Sequence, residues 1–408
     1  MQIASRVQAM KESATLAVAA RAAALKKQGI DVVAFGMGEP DFGTPEPICD
    51  AAIASLRAGH TKYAPTPGTP DARAAVARKL REENGIQCGP EHITLTAGAK
   101  HAMYMAMQTL VNPGDEVVIP TPAWVSYMPL AELAGGKVVE VAGPLERGFK
   151  ITPEDLQRAL TPRTRVVVLN SPSNPCGVAY TPQELQALCA VLAQHPHLTL
   201  VSDEIYEKLI YPEVQPGLAA WSPASDPAMA QRTVTVNGFS KAFAMTGWRM
   251  GYVCSIAPGF MEQIIKLQGQ MTNGIPTFFM EAAVRALSPE QRPAIETMRK
   301  AFAARAALVD QLLRGIPGMR TVTPTGAFYA FPDISAYIGK VSAGGMRIQG
   351  AQSFAEALLA EAHVAVVPGE DFGACARTNI RITFAADEAT IRKGLTRLAE
   401  FVAGLRTP

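Results

Sequence analysis

The sequence predicts an α/β protein, with a mostly parallel central sheet sandwiched by helices and a smaller α+β region after it. Three observations lead there. Short β-branched runs recur along the first part of the chain, namely 92–96, 116–119, 137–141, 165–169, 198–201 and 233–236. These runs are near-continuously apolar, as strands buried on both faces must be, rather than alternating. Helical patterns separate most of them, at 73–84, 100–111, 154–160, 182–194 and 259–272, so the strands are joined by crossovers.

The remaining elements follow in order. A helix is expected from near Ser13 to Gly29, with Leu16, Ala20, Ala23 and Ala24 as its apolar side. This opening stretch is basic, and a transit peptide can look like that; the apolar side favours a helix of the folded chain. From about 290 the pattern changes to a long helix at 290–313, strand-like Gly326–Phe331, a helix at 351–362, strand-like Val364–Val367 and Asn379–Phe384, and a closing helix at 387–403.

Composition narrows the classes of function. The chain has 408 residues, 48% of them hydrophobic and 18% charged, enough for a large core and too apolar for disorder. The 38 basic and 36 acidic residues leave a net charge of +2. That is no basic field for nucleic acid or an anionic membrane. Six cysteines are scattered without a CxxC pair, which points to reduced thiols in a cytoplasm. The histidines form no HExxH motif and His195-Pro196-His197 reads as a surface turn, so no metal is expected. No apolar run is long enough to span a membrane.

In an open parallel sheet, ligands bind beyond the carboxyl ends of the strands. Gly98-Ala99-Lys100 follows the first run and opens a helix, where backbone N–H groups and the helix dipole can cradle an anion. An ordinary strand-to-helix turn uses the same residues. Lys241 follows the last run among Phe239, Ala242, Phe243 and Met245. A lysine desolvated there becomes a usable amine nucleophile; the alternative is a lysine that extends to solvent. Arg249 supplies a positive neighbour and an anion ligand. Asp203 closes a buried strand and must be paired, or else caps a helix beginning near Glu204. A phosphorylated, imine-forming, electron-withdrawing cofactor would use all four features together.

Several motifs, spread in order from about Ser5 to Leu398, carry a resemblance. They are Gly38-Glu39-Pro40-Asp41-Phe42, Lys62-Tyr63-Ala64-Pro65, Asn170 to Gly177, Ser202 to Tyr206, Ser240 to Arg249, Thr325 to Tyr329, Val366 to Gly369 and Ile380-Arg381-Ile382. The sequence resembles the class I/II aminotransferases of fold type I that depend on pyridoxal 5'-phosphate, and within them the bacterial-type aspartate aminotransferase subgroup. The resemblance implies an N-terminal arm with part of a small domain at 1–45, a large cofactor-binding domain at 46–288 and a C-terminal small domain at 289–408. It assigns Lys241 to the Schiff base with the cofactor and to proton transfer. Asp203 would hold the pyridine nitrogen protonated, and Asn174 and Tyr206 would bond the ring's phenolic oxygen. Trp124 would stack on the ring, unless it is plain core. Gly98, Ala99, Lys100, Ser240 and Arg249 would hold the phosphate. Tyr63 would reach the phosphate of a neighbouring subunit, which makes the protein a homodimer with shared sites. Arg381, with the Gly38 backbone, would grip the substrate α-carboxylate. Trp124 and Asn174 would also line the substrate site.

The departures bear on the substrate. Pro122-Ala123-Trp124 stands where Pro-Tyr-Trp is usual, and Gly98-Ala99-Lys100-His101 where Gly-Gly-Lys-Gln is usual. Gln270-Met271-Thr272-Asn273 replaces a small polar stretch, and no arginine lies between Arg249 and Arg285. Lys11, Thr15 and Lys100 match positions that help bind acidic side chains or prephenate in the subgroup; Lys11 could equally be a solvated charge. The expected activity is transfer of an amino group from an acidic amino acid, aspartate or glutamate, to a 2-oxo acid by a ping-pong scheme. Ala123 and Met271 keep open a substrate that is neutral or aromatic, or a C–S β-lyase. A non-catalytic module fused to a DNA-binding domain is disfavoured, since the N-terminus leaves no room for a helix-turn-helix.

Overall fold

The computed structural model describes residues 1–8, 10 and 14–408, the side chains of 14–16 excepted. A seven-stranded sheet forms the centre. Its strands are β1 (Ile93–Thr96), β2 (Glu116–Thr121), β3 (Lys137–Ala142), β4 (Thr164–Asn170), β5 (Thr199–Asp203), β6 (Thr233–Gly238) and β7 (Gly251–Cys254), in the spatial order β1-β7-β6-β5-β4-β2-β3. β7 runs antiparallel to both of its neighbours, and the others are mutually parallel. All six expected strands are present. β7 was not expected from sequence, because Gly251-Tyr252-Val253-Cys254 is too short and mixed to stand out.

Alternate side chains of each strand feed different layers, as the period of two requires. Val166, Val168, Val201, Val234, Val236 and Val253 pack under helices Ala99–Leu110 and Phe260–Met271. Val118, Val167, Leu169 and Leu200 pack on the other face against helix Pro182–Ala193. Ile93, Leu95, Tyr252 and Cys254 also face that way, against helices Pro70–Asn84 and Phe278–Ala286. Local chemistry places these helices. Thr69 accepts a hydrogen bond from the Ala72 N–H ahead of Pro70, and left-handed Gly85 ends that helix. Thr181 and Glu184 close a capping box on 182–193.

A second core gathers around helices Arg292–Arg314, Ala351–Ala362 and Glu388–Ala403, with Phe302, Phe328, Phe354 and Phe384 at its centre. The strand-like runs are used differently from expectation. Val364–Ala365 pairs in parallel with Val33–Ala34, whereas Val367–Pro368 pairs with Ile380–Thr383 in a separate three-stranded sheet. Of the 326–331 run only Tyr329–Ala330 enters a ladder.

Two expectations are corrected. Helix Ala14–Lys27 buries Val18, Ala22 and Leu25 against Val32, Leu359 and Ala365, and leaves Ala20, Ala23 and Ala24 exposed. Alanines on every side gave the sequence no clear stripe, so packing against Leu359 chose the face. No helix begins near Glu204 either; the chain turns from Ile205 to Lys208. Helices Glu46–Arg57 and Tyr127–Leu133 were likewise not foreseen. No helix among the described residues is long and apolar enough to cross a membrane.

Candidate active site

The carboxyl ends of β1, β4, β5 and β6 lie on one side of the sheet and present Gly98, Asn174, Asp203 and Ser240-Lys241 there. At the end of β1, Gly98 has φ +83 and caps the helix that starts at Ala99. A Cβ on Gly98 would fall 2.7 Å from Arg249 Nη2, so the guanidinium rests against the bare backbone of the turn. A Cβ on Gly251 would fall 2.6 Å from the Ala99 N and 2.7 Å from the Gly98 C, so only glycine lets β7 pass so near. Lys100 Nζ lies over the Trp124 ring, 5.0 Å from its centroid. Desolvation and the Arg249 charge both lower the proton affinity of that amine. A helix N-terminus with two cations and a turn bare of side chains offers backbone N–H groups and positive charge to an anion.

Asp203 is buried at the end of β5. Its Oδ2 accepts a 2.6 Å bond from the Tyr127 hydroxyl, and its Oδ1 accepts from the Ile205 N–H at 3.2 Å. Burial pushes this carboxyl up to about 6, against the opposing pull of the Tyr127 bond, the Ile205 N–H and the Lys241 charge. A pyridinium N–H beside Asp203 would offset that burial cost. Lys241 Nζ donates to the Gly38 carbonyl at 2.5 Å and lies 5.9 Å from the Tyr206 ring centroid and 5.7 Å from that of Phe328. Burial first, and then the Arg381 charge, bring its amine down to about 8. Near neutral pH an appreciable fraction is therefore unprotonated and nucleophilic.

Arg381 is buried on the strand Ile380–Thr383. Nη1 donates to Asn174 Oδ1 at 3.0 Å and Nη2 to the Gly36 carbonyl at 2.7 Å, while Nε has no partner. The Tyr329 and Phe372 rings flank the guanidinium at 4.9 and 5.3 Å. No ion pair joins Arg381 to a carboxylate among the described residues. A buried cation without an anion is costly, and a carboxylate ligand removes that cost. Tyr206 OH and Tyr329 OH share a 2.8 Å hydrogen bond. Burial and the Tyr329 neighbour keep Tyr206 protonated far above its usual range.

The expected residues Gly38, Gly98, Ala99, Lys100, Trp124, Asn174, Asp203, Tyr206, Ser240, Lys241, Arg249 and Arg381 thus converge on one crevice between the two cores. Gly38 takes part through its carbonyl, and Arg381 reaches Gly36. Tyr63 is 91% exposed and touches none of them in the single chain. Lys11 lies outside the described residues, and Thr15 is on the first long helix with its side chain outside them. Ala123 is buried among the apolar residues beneath Trp124, while Met271 is exposed. Sequence reasoning gave no role to Tyr127 and Tyr329. Tyr127 follows Trp124 by three residues on the same turn, and its ring meets Trp124 edge-on at 5.3 Å. That spacing was the available signal. Tyr329 closes the Thr325 to Tyr329 motif, and its ring meets that of Tyr206 edge-on at 5.8 Å.

A turn able to hold an anion, a desolvated amine and a buried carboxylate thus lie together beyond the carboxyl ends of the parallel strands. The chain belongs to the class I and II aminotransferases, whose family model matches residues 30–398. It is 44% identical to an aspartate/prephenate aminotransferase of Cereibacter sphaeroides, over 97% of each chain. It is 42% identical to an aspartate aminotransferase of Bacillus sp. (strain YM-2), over 98% of this chain and 99% of the other. The aspartate aminotransferase structure from Rhizobium meliloti superposes with a TM-score of 0.93 at 40% identity, covering 100% of both chains. That from Thermus thermophilus with maleate gives 0.90 at 41% identity, covering 98% of this chain and 100% of the other.

Proposed function

We propose that the protein is a pyridoxal 5'-phosphate-dependent aminotransferase that takes the amino group of aspartate or glutamate and delivers it to a 2-oxo acid in two half-reactions. The observation that carries this reading is the Lys241 amine, lowered to about 8, facing a crevice that also holds buried Asp203 and the carboxylate-free guanidinium of Arg381. The residues fit the cofactor. Gly98, Ala99, Lys100, Ser240 and Arg249 would hold its phosphate, Asp203 its ring nitrogen, Asn174 and Tyr206 its phenolic oxygen, and Trp124 its ring face. When bound, pyridoxal phosphate supplies an aldehyde that condenses with amines and a ring that accepts the electron pair left at the substrate α-carbon.

The chain's own groups do the rest. Arg381 binds the α-carboxylate through its planar fork and so orients the α-carbon. Lys241 Nζ would carry the proton from the substrate α-carbon to the carbon that bore the cofactor's aldehyde, the shift that leaves the amino group on the cofactor and a 2-oxo acid to depart. Asp203 would keep the ring nitrogen protonated, with Tyr127 fixing the carboxylate. Tyr206, neutral throughout, donates a hydrogen bond rather than a charge. The acidic donor is supported by the names of the relatives and by Lys100, a cation beside Trp124 at the rim. With Ala123 in the core, a substrate that is neutral or aromatic loses that residue's support.

The division into 1–45 with 289–408 as a small domain and 46–288 as a large one is supported by the pairing of Val33–Ala34 with Val364–Ala365. The exposed Tyr63 supports a homodimer with shared sites, and the free thiols fit a cytoplasmic enzyme. Absorbance tests the proposal. The purified protein is expected to be yellow and to bleach on addition of aspartate, with 2-oxoglutarate, oxaloacetate and prephenate compared as acceptors. A wild-type rate from Lys241→Ala, or pyruvate and ammonia released from cysteine conjugates without any acceptor, would overturn it.

A further inference from the structure

Behind the crevice, on the opposite face of the same turn, lies a buried polar set to which the reaction assigns no role. Asn84, the last residue of helix Pro70–Asn84, is its hub. Its Nδ2 donates to Glu207 Oε2 at 2.5 Å and to Glu204 Oε2 at 3.3 Å, and its Oδ1 accepts from Lys79 Nζ at 2.7 Å. Lys79 is also ion-paired with Glu207. Glu204 Oε1 accepts from Ser202 Oγ at 2.9 Å and from Ser222 Oγ at 2.7 Å. Lys79 and Glu204 are each about 5% exposed.

The placement gives the set its meaning. Asp203 and Tyr206 point into the crevice, and Glu204 and Glu207, one residue further along, point away from it. The segment between them is not helical. Its own backbone bonds are Glu207 N–H to Glu204 O at 3.0 Å and Leu209 N–H to Tyr206 O at 2.8 Å. Packing holds only its inner side, where Ile205, Tyr206 and Leu209 are buried, while on the outer side a cavity of about 630 Å³ opens beside Lys79, Glu207, Ile210 and Phe243. The inner side is also tied by Asn170 Nδ2, which donates to the Asp203 carbonyl at 3.0 Å, and by the Glu204 N–H, which donates to the Val236 carbonyl at 2.9 Å. On the outer side the turn's tie is the pair of carboxylates clamped to helix 70–84.

We infer that Lys79, Asn84, Glu204 and Glu207 are positioning residues for the reaction, holding Asp203 and Tyr206 in register with the bound cofactor from the far side of the turn. The inference rests on the function proposed above. A clamp that loosens lets the carboxylate drift from the ring nitrogen and the tyrosine from the phenolic oxygen, while Arg381, on another strand, keeps its grip on substrate.

The experiment compares wild type, Asn84→Ala, Glu207→Gln and the milder Ser222→Ala, each loaded with pyridoxal phosphate. For Asn84→Ala and Glu207→Gln, the midpoint of the cofactor's visible absorbance titration with pH is expected to move by at least half a unit. Their kcat is expected to fall about tenfold, with KM for the amino donor within twofold. Amide exchange across 203–209 in the cofactor-free protein should quicken, and Glu207→Asp should recover part of the loss. Variants that melt earlier but keep the wild-type titration midpoint and kcat overturn the inference. If both strong variants fail to fold, Ser222→Ala decides by the same two readouts. A wild type that shows no pH-dependent visible band refutes the proposed function itself, which separates the two failures.

Discussion

Tyr127→Phe isolates one hydrogen bond on which the electronics of the site depend. The ring that packs edge-on against Trp124 at 5.3 Å is kept, and only the hydroxyl that donates to Asp203 Oδ2 at 2.6 Å is lost. A hydrogen bond to a buried charge is worth about 1.5–3 kcal/mol, and one pKa unit corresponds to about 1.4 kcal/mol. Asp203, already raised to about 6 by burial, should therefore rise by about one to two units in the cofactor-free protein. That brings it into the neutral range, where it is partly protonated and cannot serve a protonated ring nitrogen. If the whole loss appears in the transition state, kcat falls about 10- to 150-fold. The assay is kcat against pH for both proteins, with the Asp203 carboxyl followed by infrared difference spectroscopy. A variant with unchanged kcat and an unmoved carboxyl titration would refute the reasoning that Tyr127 supports Asp203.

Three further outcomes are expected. Gly98→Ala places a Cβ 2.7 Å from Arg249 Nη2 at φ +83, which costs about 1–2 kcal/mol of backbone strain and displaces the guanidinium; equilibrium dialysis should show at least tenfold weaker binding of pyridoxal phosphate. Arg381→Lys replaces a planar fork by a point charge, so KM for the amino donor should rise about 10- to 150-fold, and a change confined to kcat would count against the assigned grip. Glu204 is raised to about 7 from 4.5, by burial first and the Glu207 charge second. Between those values the folded state binds the extra proton, so stability falls as pH rises through that window and the loss is complete above about 7. The 2.5-unit gap corresponds to about 3 kcal/mol. Urea unfolding should therefore show Glu204→Gln gaining on wild type by about that much between pH 4 and pH 8, and parallel stability curves would contradict it.

The sheet was legible because most of its strands are buried on both faces and so announce themselves as apolar runs, the edge strand Lys137–Ala142 being largely exposed; β7 escaped because four mixed residues opening on a glycine carry no period. The proposed site was legible wherever a residue's proposed role is tied to its place after a strand, as for Gly98, Asp203 and Lys241. It was illegible where the role comes from a partner distant in sequence. Nothing near Tyr127 says that its hydroxyl meets Asp203, and nothing near Asn84 says that it joins two glutamates 120 and 123 residues on.

The sequence by itself determined the α/β class and six of the seven strands of the central sheet, and with the family resemblance it named the residues proposed to hold a phosphate, an imine and a carboxylate. Tertiary structure alone decided which face of the alanine-rich first long helix is buried, that the run 364–367 serves two sheets, and that Glu204 begins a clamped turn instead of a helix. The physical reason is common to all three. Local propensity fixes what a segment can become, while burial of apolar area and pairing of buried polar groups with distant partners select among the conformations that propensity leaves nearly equal in energy.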